Sequence, residues 1–282
     1  MVTAHSLSAV LDAAERAGRL DVRTSELAAA LPGSSLEALR QALHRQQARG
    51  RIVRVSRGSG HWVIVPLQYA ASGAPPLQTW LDRYLSKSIR TPYYVGLLSA
   101  AKTYGASIRA VVATQVMVPT PRRRVTLGQH ELVFHSRAEV ERMPTRWHET
   151  PEGRFKVSTA ELTALELVRR APQVGGIARV REVLQSLCRA CALDTLREAL
   201  DAADDVPTAQ RFGALMAAEG EVDLAQSAKR WLQGRKTRSI PLEAGLPLME
   251  GASLDNVFKV WLPSGGFAMP TSETKSPHDP DD

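Results

Sequence analysis

Arg40, Gln41, His44 and Arg45 are of the types, and at the spacing, that read the edges of base pairs. On an α-helix they fall at i, i+1, i+4 and i+5, along one face. Arginine bonds a guanine edge or a phosphate bidentately, and glutamine bonds the edge of adenine. Ser34 and Ser35 lie just ahead, where the unpaired N–H groups of a helix start take up phosphate. Arg54, Arg57 and His61 follow within RVSRGSGH, placed for the phosphate backbone or the minor groove. Residues 34–61 hold six arginines (40, 45, 49, 51, 54, 57) against one acid, Glu37, a formal +5 of the chain's +7. A solvated amphipathic helix would carry similar charges, so the flanking elements decide between the two readings.

Those elements follow one another without slack. Leu7, Val10, Leu11, Ala14 and Ala17 recur at helical spacing, with Gly18 placed to close the helix. Thr24 or Ser25 caps a second helix that turns Leu27, Ala28 and Leu31 inward. Pro32-Gly33 breaks it. Ser34 and Glu37 have capping-box spacing, which starts a third helix with Leu36, Leu39 and Leu43 on its inner face. After Gly50 the period changes to two: Ile52-Val53 and Trp62–Val65 form a hairpin tipped by Arg57-Gly58-Ser59-Gly60. Helix, turn, helix and hairpin over residues 1–66 predict a winged helix-turn-helix that presents its third helix to operator DNA.

Pro66 and the SGAPP run at 72–76 predict a linker and connecting helix over 67–90, with Trp80, Leu81, Tyr84 and Leu85 on one side. Pro92 reads as opening a helix through about Tyr104. AVVATQVMV and Thr126–Phe134 read as strands, with Arg122-Arg123-Arg124 between them, and Arg154–Val157 as a short strand. Ser158 and Glu161 form a second capping box ahead of ELTALELVRRAP. Helical patterns continue over 177–200, 208–218 and 224–232. Residues 236–269 read as strands or an arm, and 270–282 as a disordered tail. The fold class is α/β (α+β): an N-terminal winged helix-turn-helix followed by a larger mixed domain over 91–235.

Other chemistry finds little support. No apolar run approaches the ~18–20 residues that span a bilayer, and the N-terminus carries Asp12 and Glu15 in place of a basic signal region, so no membrane partner and a cytoplasmic location are expected. Cys188-x-x-Cys191 has no second ligand pair and reads as mid-helix packing, away from any helix start that would activate a thiol. His130, His135 and His148, with Glu131, Glu139 and Glu149, show no ligand spacing. Nucleophile-elbow and phosphate-loop motifs do not occur, and the one Glu-x-Lys, Glu273-Thr274-Lys275, lies in the tail. The expectation is a binding protein without catalytic residues, cofactor or metal. Arg122-Arg123-Arg124 stays open between a solvated loop and a second electropositive surface.

The winged helix followed by PYYVGLLSAAKTYGAS, then Gln115, then VSTAELTALELVRRAPQVGG, resembles the AbiEi-type antitoxins of bacterial toxin–antitoxin systems. GRIVRVSRG is similar to that family's strand-and-wing segment. The resemblance covers most of residues 5–235, and Ser158–Gly176 is its most specific piece. The wing tip SGHW and a shortened segment after Tyr104 depart from the family pattern. The resemblance implies a protein that represses its own operon by binding inverted repeats. It also implies functional antagonism of a cognate nucleotidyltransferase-like toxin, in a type IV system of abortive infection against phage. Two copies on a repeat, as dimer or as paired monomers, fit the short reach of one reading helix. A stand-alone regulator with a ligand-sensing second domain is the alternative.

Overall fold

Ser6 Oγ accepts the Ala9 N–H at 3.2 Å and opens α1 (Leu7–Arg16), which buries Leu7, Leu11 and Ala14. The computed structural model describes residues 6–106, 113–245 and 251–263. After α1 comes β1 (Asp21–Arg23), a strand too short to register in the hydrophobic pattern. α2 (Thr24–Ala30) starts differently from expectation: Glu26 accepts the Arg23 N–H at 3.1 Å, and Thr24 is the first helical residue. The Thr24 hydroxyl instead donates to Gly60 O at 3.2 Å and accepts the Trp62 indole N–H at 3.0 Å. α3 (Leu36–Ala48) buries Leu39 and Leu43, but its cap is Ser35, whose Oγ accepts the Ala38 N–H at 3.1 Å. Leu36, expected on the inner face, is 65% exposed, as are the residues on either side of it.

β2 (Ile52–Arg54) and β3 (His61–Ile64) complete an antiparallel sheet of order β1-β3-β2. Central β3 is buried along its whole length. Three helices and a three-stranded sheet whose last two strands form a hairpin make up this N-terminal unit.

Residues 66–90 pack as a bridge in place of a free linker. Two 3₁₀ turns (Leu67–Tyr69 and Leu77–Thr79) lead into α4 (Leu81–Arg83), which widens into a π-helix over Tyr84–Ile89. Trp80, Leu81, Tyr84 and Leu85 are buried, and they share one core with Val55 and Val63 of the hairpin and with Val95, Val116 and Val157 beyond. The SGAPP run is held equally closely. A Cβ on Gly128 would sit 2.3 Å from Ser72 O, and the Gln129 N–H donates to that same oxygen at 3.0 Å.

Beyond the bridge lies a six-stranded mixed sheet of order β6-β7-β5-β4-β9-β8. Its strands are β4 (Tyr94–Val95), β5 (Thr114–Val118), β6 (Val125–Leu127), β7 (His130–Ser136), β8 (Thr145–Thr150) and β9 (Gly153–Ser158). Thr126–Phe134 is therefore a hairpin turned at Gly128, since β6 pairs antiparallel with β7. Pro92 leads into β4, and α5 (Leu97–Thr103) begins only after Gly96. Residues 107–112, which hold the start of the AVVATQVMV run, and the tail from 264 lie outside the described residues.

Five longer helices complete the helical layer: α6 (Ala160–Arg169), α7 (Gly176–Leu187), α8 (Leu193–Ala203), α9 (Val206–Ala218) and α10 (Val222–Leu232). α6 is buried on every side from Ala160 to Val168. Its cap is Thr159, whose Oγ1 accepts the Leu162 N–H at 3.3 Å. Ser158 instead pairs its hydroxyl with Thr163 Oγ1 at 2.7 Å. Glu161 also leaves the expected capping box. It accepts the Ala192 N–H at 2.8 Å and the Thr195 hydroxyl at 2.7 Å, at the start of α8. A small sheet of β10 (Ile240–Pro241), β11 (Ser253–Asp255) and β12 (Val260–Leu262) closes over α9. Gln210 Nε2 donates there to Phe258 O at 2.6 Å, and a Cβ on Gly213 would meet the Phe258 ring at 2.2 Å.

Glu161→Ala is expected to lower stability by about 0.5–2 kcal/mol, the usual cost of a lost helix cap. Glu161→Gln, which keeps the acceptor, should recover most of it. Urea unfolding of the three chains checks this, and equal midpoints for the Ala and native chains would show that Glu161 caps nothing.

Candidate nucleic-acid interface

The first turn and outer face of α3 stand clear of the protein. Ser34, Ser35, Arg40, Gln41, His44 and Arg45 are all exposed, opposite buried Leu39 and Leu43. Ser35 is committed to its cap, so its hydroxyl marks the helix start and orients the first N–H groups. Glu37 reaches back along the face: Arg40 Nη1 lies 3.6 Å from its carboxylate, and Gln41 Nε2 donates to it at 3.5 Å. Exposed contacts of this length are weak. Both side chains are therefore readily exchanged onto another acceptor, while Glu37 keeps them on the outer face. Arg45 makes no ion pair among the described residues.

The hairpin carries two further cations. Arg54 lies 5.4 Å from the centre of the Trp62 ring, and Arg57 sits exposed at the tip. Gly58 (φ 81°) and Gly60 (φ 60°) take left-handed backbone that side chains disfavour. That requirement explains the G-S-G tip. Arg51, by contrast, is taken out of the basic face. It bonds Asp12 at 2.7 Å and also pairs with Glu15, on the side of α1.

His61 is the clear correction to the expected DNA-contacting set. It is fully buried, because β3 is the central strand and the bridge covers its outer side. Its Nδ1 is 2.7 Å from Ser88 Oγ, and its ring meets Tyr84 edge-on at 5.6 Å. Its Nε2 lies 3.4 Å from Asp21, which pairs with Arg83 Nε at 2.8 Å. Arg83 also bonds Glu26 at 2.7 Å. Burial holds the His61 pKa down to about 4, with the charge of Arg83 adding to it. Burial likewise pushes Asp21 up to about 6, against the pull of Arg83. Sequence reasoning missed this group, since its members lie on β1, α2, β3 and the bridge. Only the sheet order assembles them.

Arg122-Arg123-Arg124 forms the turn between β5 and β6 and faces the hairpin tip across a groove of about 730 Å³. Arg124 pairs with Glu131 at 2.7 Å. The other candidates are dispersed. His130 and His148 line a separate hollow with Lys102, while Glu139 and Glu149 pair with Arg142 and Arg154. Among the described residues, no three His, Cys, Asp or Glu side chains gather as metal donors. Cys188 closes α7 in a 3₁₀ turn, a correction to its mid-helix placement, with Sγ 3.5 Å from Met216 Sδ. The Cys191 thiol is pushed well up by its contact with Cys188 and by burial. No helix among the described residues is long and apolar enough to cross a membrane.

Residues 94–218 match the AbiEi antitoxin C-terminal domain family. The crystal structure of the RV2827C protein from Mycobacterium tuberculosis is similar, with a TM-score of 0.64 at 16% sequence identity over 90% of each chain. At that identity the likeness is one of fold. No curated protein matches the chain.

The buried pair makes a pH prediction. Between pH 6.5 and 4 the unfolded chain binds a proton at His61 that the folded chain does not, so His61 lowers stability as pH falls. Between pH 6 and 3.8 the folded chain binds one at Asp21 that the unfolded chain does not, so Asp21 raises stability as pH falls. The two oppose each other. Asp21→Asn should therefore lose more stability than the native chain as pH falls from about 6.5 to about 4.5. Urea unfolding across that range tests it, and parallel pH profiles would mean that Asp21 titrates normally.

Proposed function

We propose that this chain, whose residues 94–218 match the AbiEi antitoxin C-terminal domain family, neutralises a cognate nucleotidyltransferase-like toxin and represses its own operon by binding inverted repeats. The observation that carries this reading is the union of that domain with an N-terminal unit whose α3 holds Arg40, Gln41, His44 and Arg45 into solvent. α3 enters the major groove, where Arg40 and Arg45 bond guanine edges or phosphates and Gln41 bonds adenine. The helix start at Ser34 and Ser35 takes a phosphate. Arg54 and Arg57 hold the flanking backbone, so the hairpin sets register while α3 reads sequence.

One helix reads only a few base pairs, so two copies occupy one repeat. Repression then falls when antitoxin is scarce and toxin is freed, the feedback that a type IV abortive-infection operon needs. Antagonism of the toxin belongs to the second domain and requires no catalytic group on this chain.

Arg40→Ala and Arg45→Ala should each weaken binding to a duplex from the promoter upstream of the gene by about 1–3 kcal/mol if that arginine contacts a base. Fluorescence anisotropy measures this, and a promoter reporter should be derepressed in parallel. Co-expression with the neighbouring toxin gene should show growth protection retained in both variants. Native affinity in both would move the reading face elsewhere. Failure of the native chain to protect would remove the antitoxin assignment.

A further inference from the structure

Between Ser72 and Gln78 the bridge arches over the six-stranded sheet, and both feet of the arch are fixed. At one foot Ser72 sits against Gly128 in the β6–β7 turn, where the Gln129 N–H donates to Ser72 O at 3.0 Å. At the other, a Cβ on Gly153 at the β8–β9 turn would lie 2.3 Å from Gln78 O. Beneath the arch, and bordered by α5, is a hollow of about 550 Å³. Protein interiors normally close on gaps far smaller than this. Here the roof is pinned at both ends and the floor is hydrogen-bonded sheet, so the space persists. Its volume is that of a small-molecule site.

The lining is chemically one-sided. No carboxylate lines it. Lys102, on the last turn of α5, is exposed and makes no ion pair among the described residues. Burial holds His130 and His148 below the ordinary histidine range, with the Arg146 charge adding to the effect at His148. Near neutral pH the hollow therefore offers the Lys102 ammonium and two uncharged imidazoles. The backbone of Pro75 and Ala74 accepts a hydrogen bond from the His130 ring. Its Nε2 is shielded from solvent and has no hydrogen-bond partner among the described residues. The bonded nitrogen is then Nδ1–H, which leaves Nε2 as an unused acceptor. His148 packs on Phe155 with ring centres 5.1 Å apart, and the two rings make an aromatic wall.

We propose that this hollow is a binding site for a nucleoside monophosphate, with the phosphate on Lys102, the base against His148 and Phe155, and a hydroxyl or amino hydrogen of the nucleoside on His130 Nε2. A single unpaired ammonium suits one phosphate better than a chain of them. The aromatic wall suits a planar ring, which a plain sugar phosphate lacks. Because the site is already formed, the ligand does not have to order it. The inference stands apart from the DNA-binding and antitoxin readings, since no residue of the N-terminal unit lines the hollow.

The test titrates the full-length chain with AMP, GMP, CMP and UMP by isothermal calorimetry and follows the histidine ring protons by NMR. At least one nucleotide should bind with a Kd below about 1 mM. The signals of His130 and His148 should shift, while that of His44 on α3 stays in place. Lys102→Ala should weaken binding about tenfold, the loss of one charge-assisted contact, and Lys102→Arg should keep most of it. Lys102 is exposed, so neither substitution disturbs the fold. Shifts at His44 without shifts at His130 and His148 would mean that the nucleotide only imitates a DNA phosphate on α3, and they overturn the proposal. Equal affinity in the Lys102→Ala and native chains does the same, as does no binding of any of the four at a few millimolar. Inorganic phosphate that displaces the nucleotide at equal concentration also overturns it, because the aromatic wall would then contribute nothing.

Discussion

The molecule depends on how His61 and Asp21 are buried. Both are polar, both are nearly inaccessible, and water cannot satisfy them there. Their partners, Ser88 and Arg83, come from the bridge and not from the N-terminal unit itself. Pulling the N-terminal unit away from the bridge would break the Asp21–Arg83 ion pair and the His61–Ser88 contact, and would expose Val55, Val63, Trp80 and Tyr84 to water. Re-exposure of that apolar surface is the main cost, since water would hydrate the freed polar groups. The N-terminal unit and the sheet behind it are therefore held in one relative orientation. That orientation brings the Arg122–Arg124 turn up to the hairpin tip.

The same logic governs the helical layer. α6 is buried on all sides, so its polar residues must be satisfied inside the protein. Glu161 turns to the start of α8. Glu166, completely enclosed, accepts the Tyr94 hydroxyl at 2.5 Å and Arg137 at 3.0 Å. Its pKa is raised by burial despite that arginine. These bonds run from α6 to β4, to the end of β7 and to α8, which pins the helix that carries the most recognisable stretch of the chain. The carboxylates are structural ties here, and they explain glutamates on an otherwise apolar helix without invoking catalysis.

Charge shows where composition misleads. The arginine-rich window between 34 and 61 is real, yet Arg51 is neutralised by Asp12 and Glu15 on α1. Arg40, Arg45, Arg49, Arg54 and Arg57 remain on the outer surface. A count of arginines locates the basic segment, but the ion pairs decide which of them face a partner.

Much of the architecture was legible without coordinates, because local physics dictates it. Period-3.6 leucines at 39 and 43, the Pro32-Gly33 break and the glycine-bearing hairpin tip each act within a few residues, so the helices and the hairpin could be read directly. The resemblance to an antitoxin family, drawn over most of residues 5–235, was likewise carried by short contiguous stretches, and the family match covers residues 94–218. What the chain alone left undecided depends on contacts between segments far apart in sequence. His61 looked like a wing residue because its neighbours are polar and glycine-rich, but its strand lies between two others beneath the bridge. Ser158 and Glu161 have the spacing of a capping box, yet Thr159 caps the helix, since α8 and Thr163 offer those side chains better partners. SGAPP has the composition of a linker and is packed against Gly128. Local patterning determines which elements form and which faces are apolar. Only the packing of one element on another decides which polar groups are buried and which remain exposed to solvent.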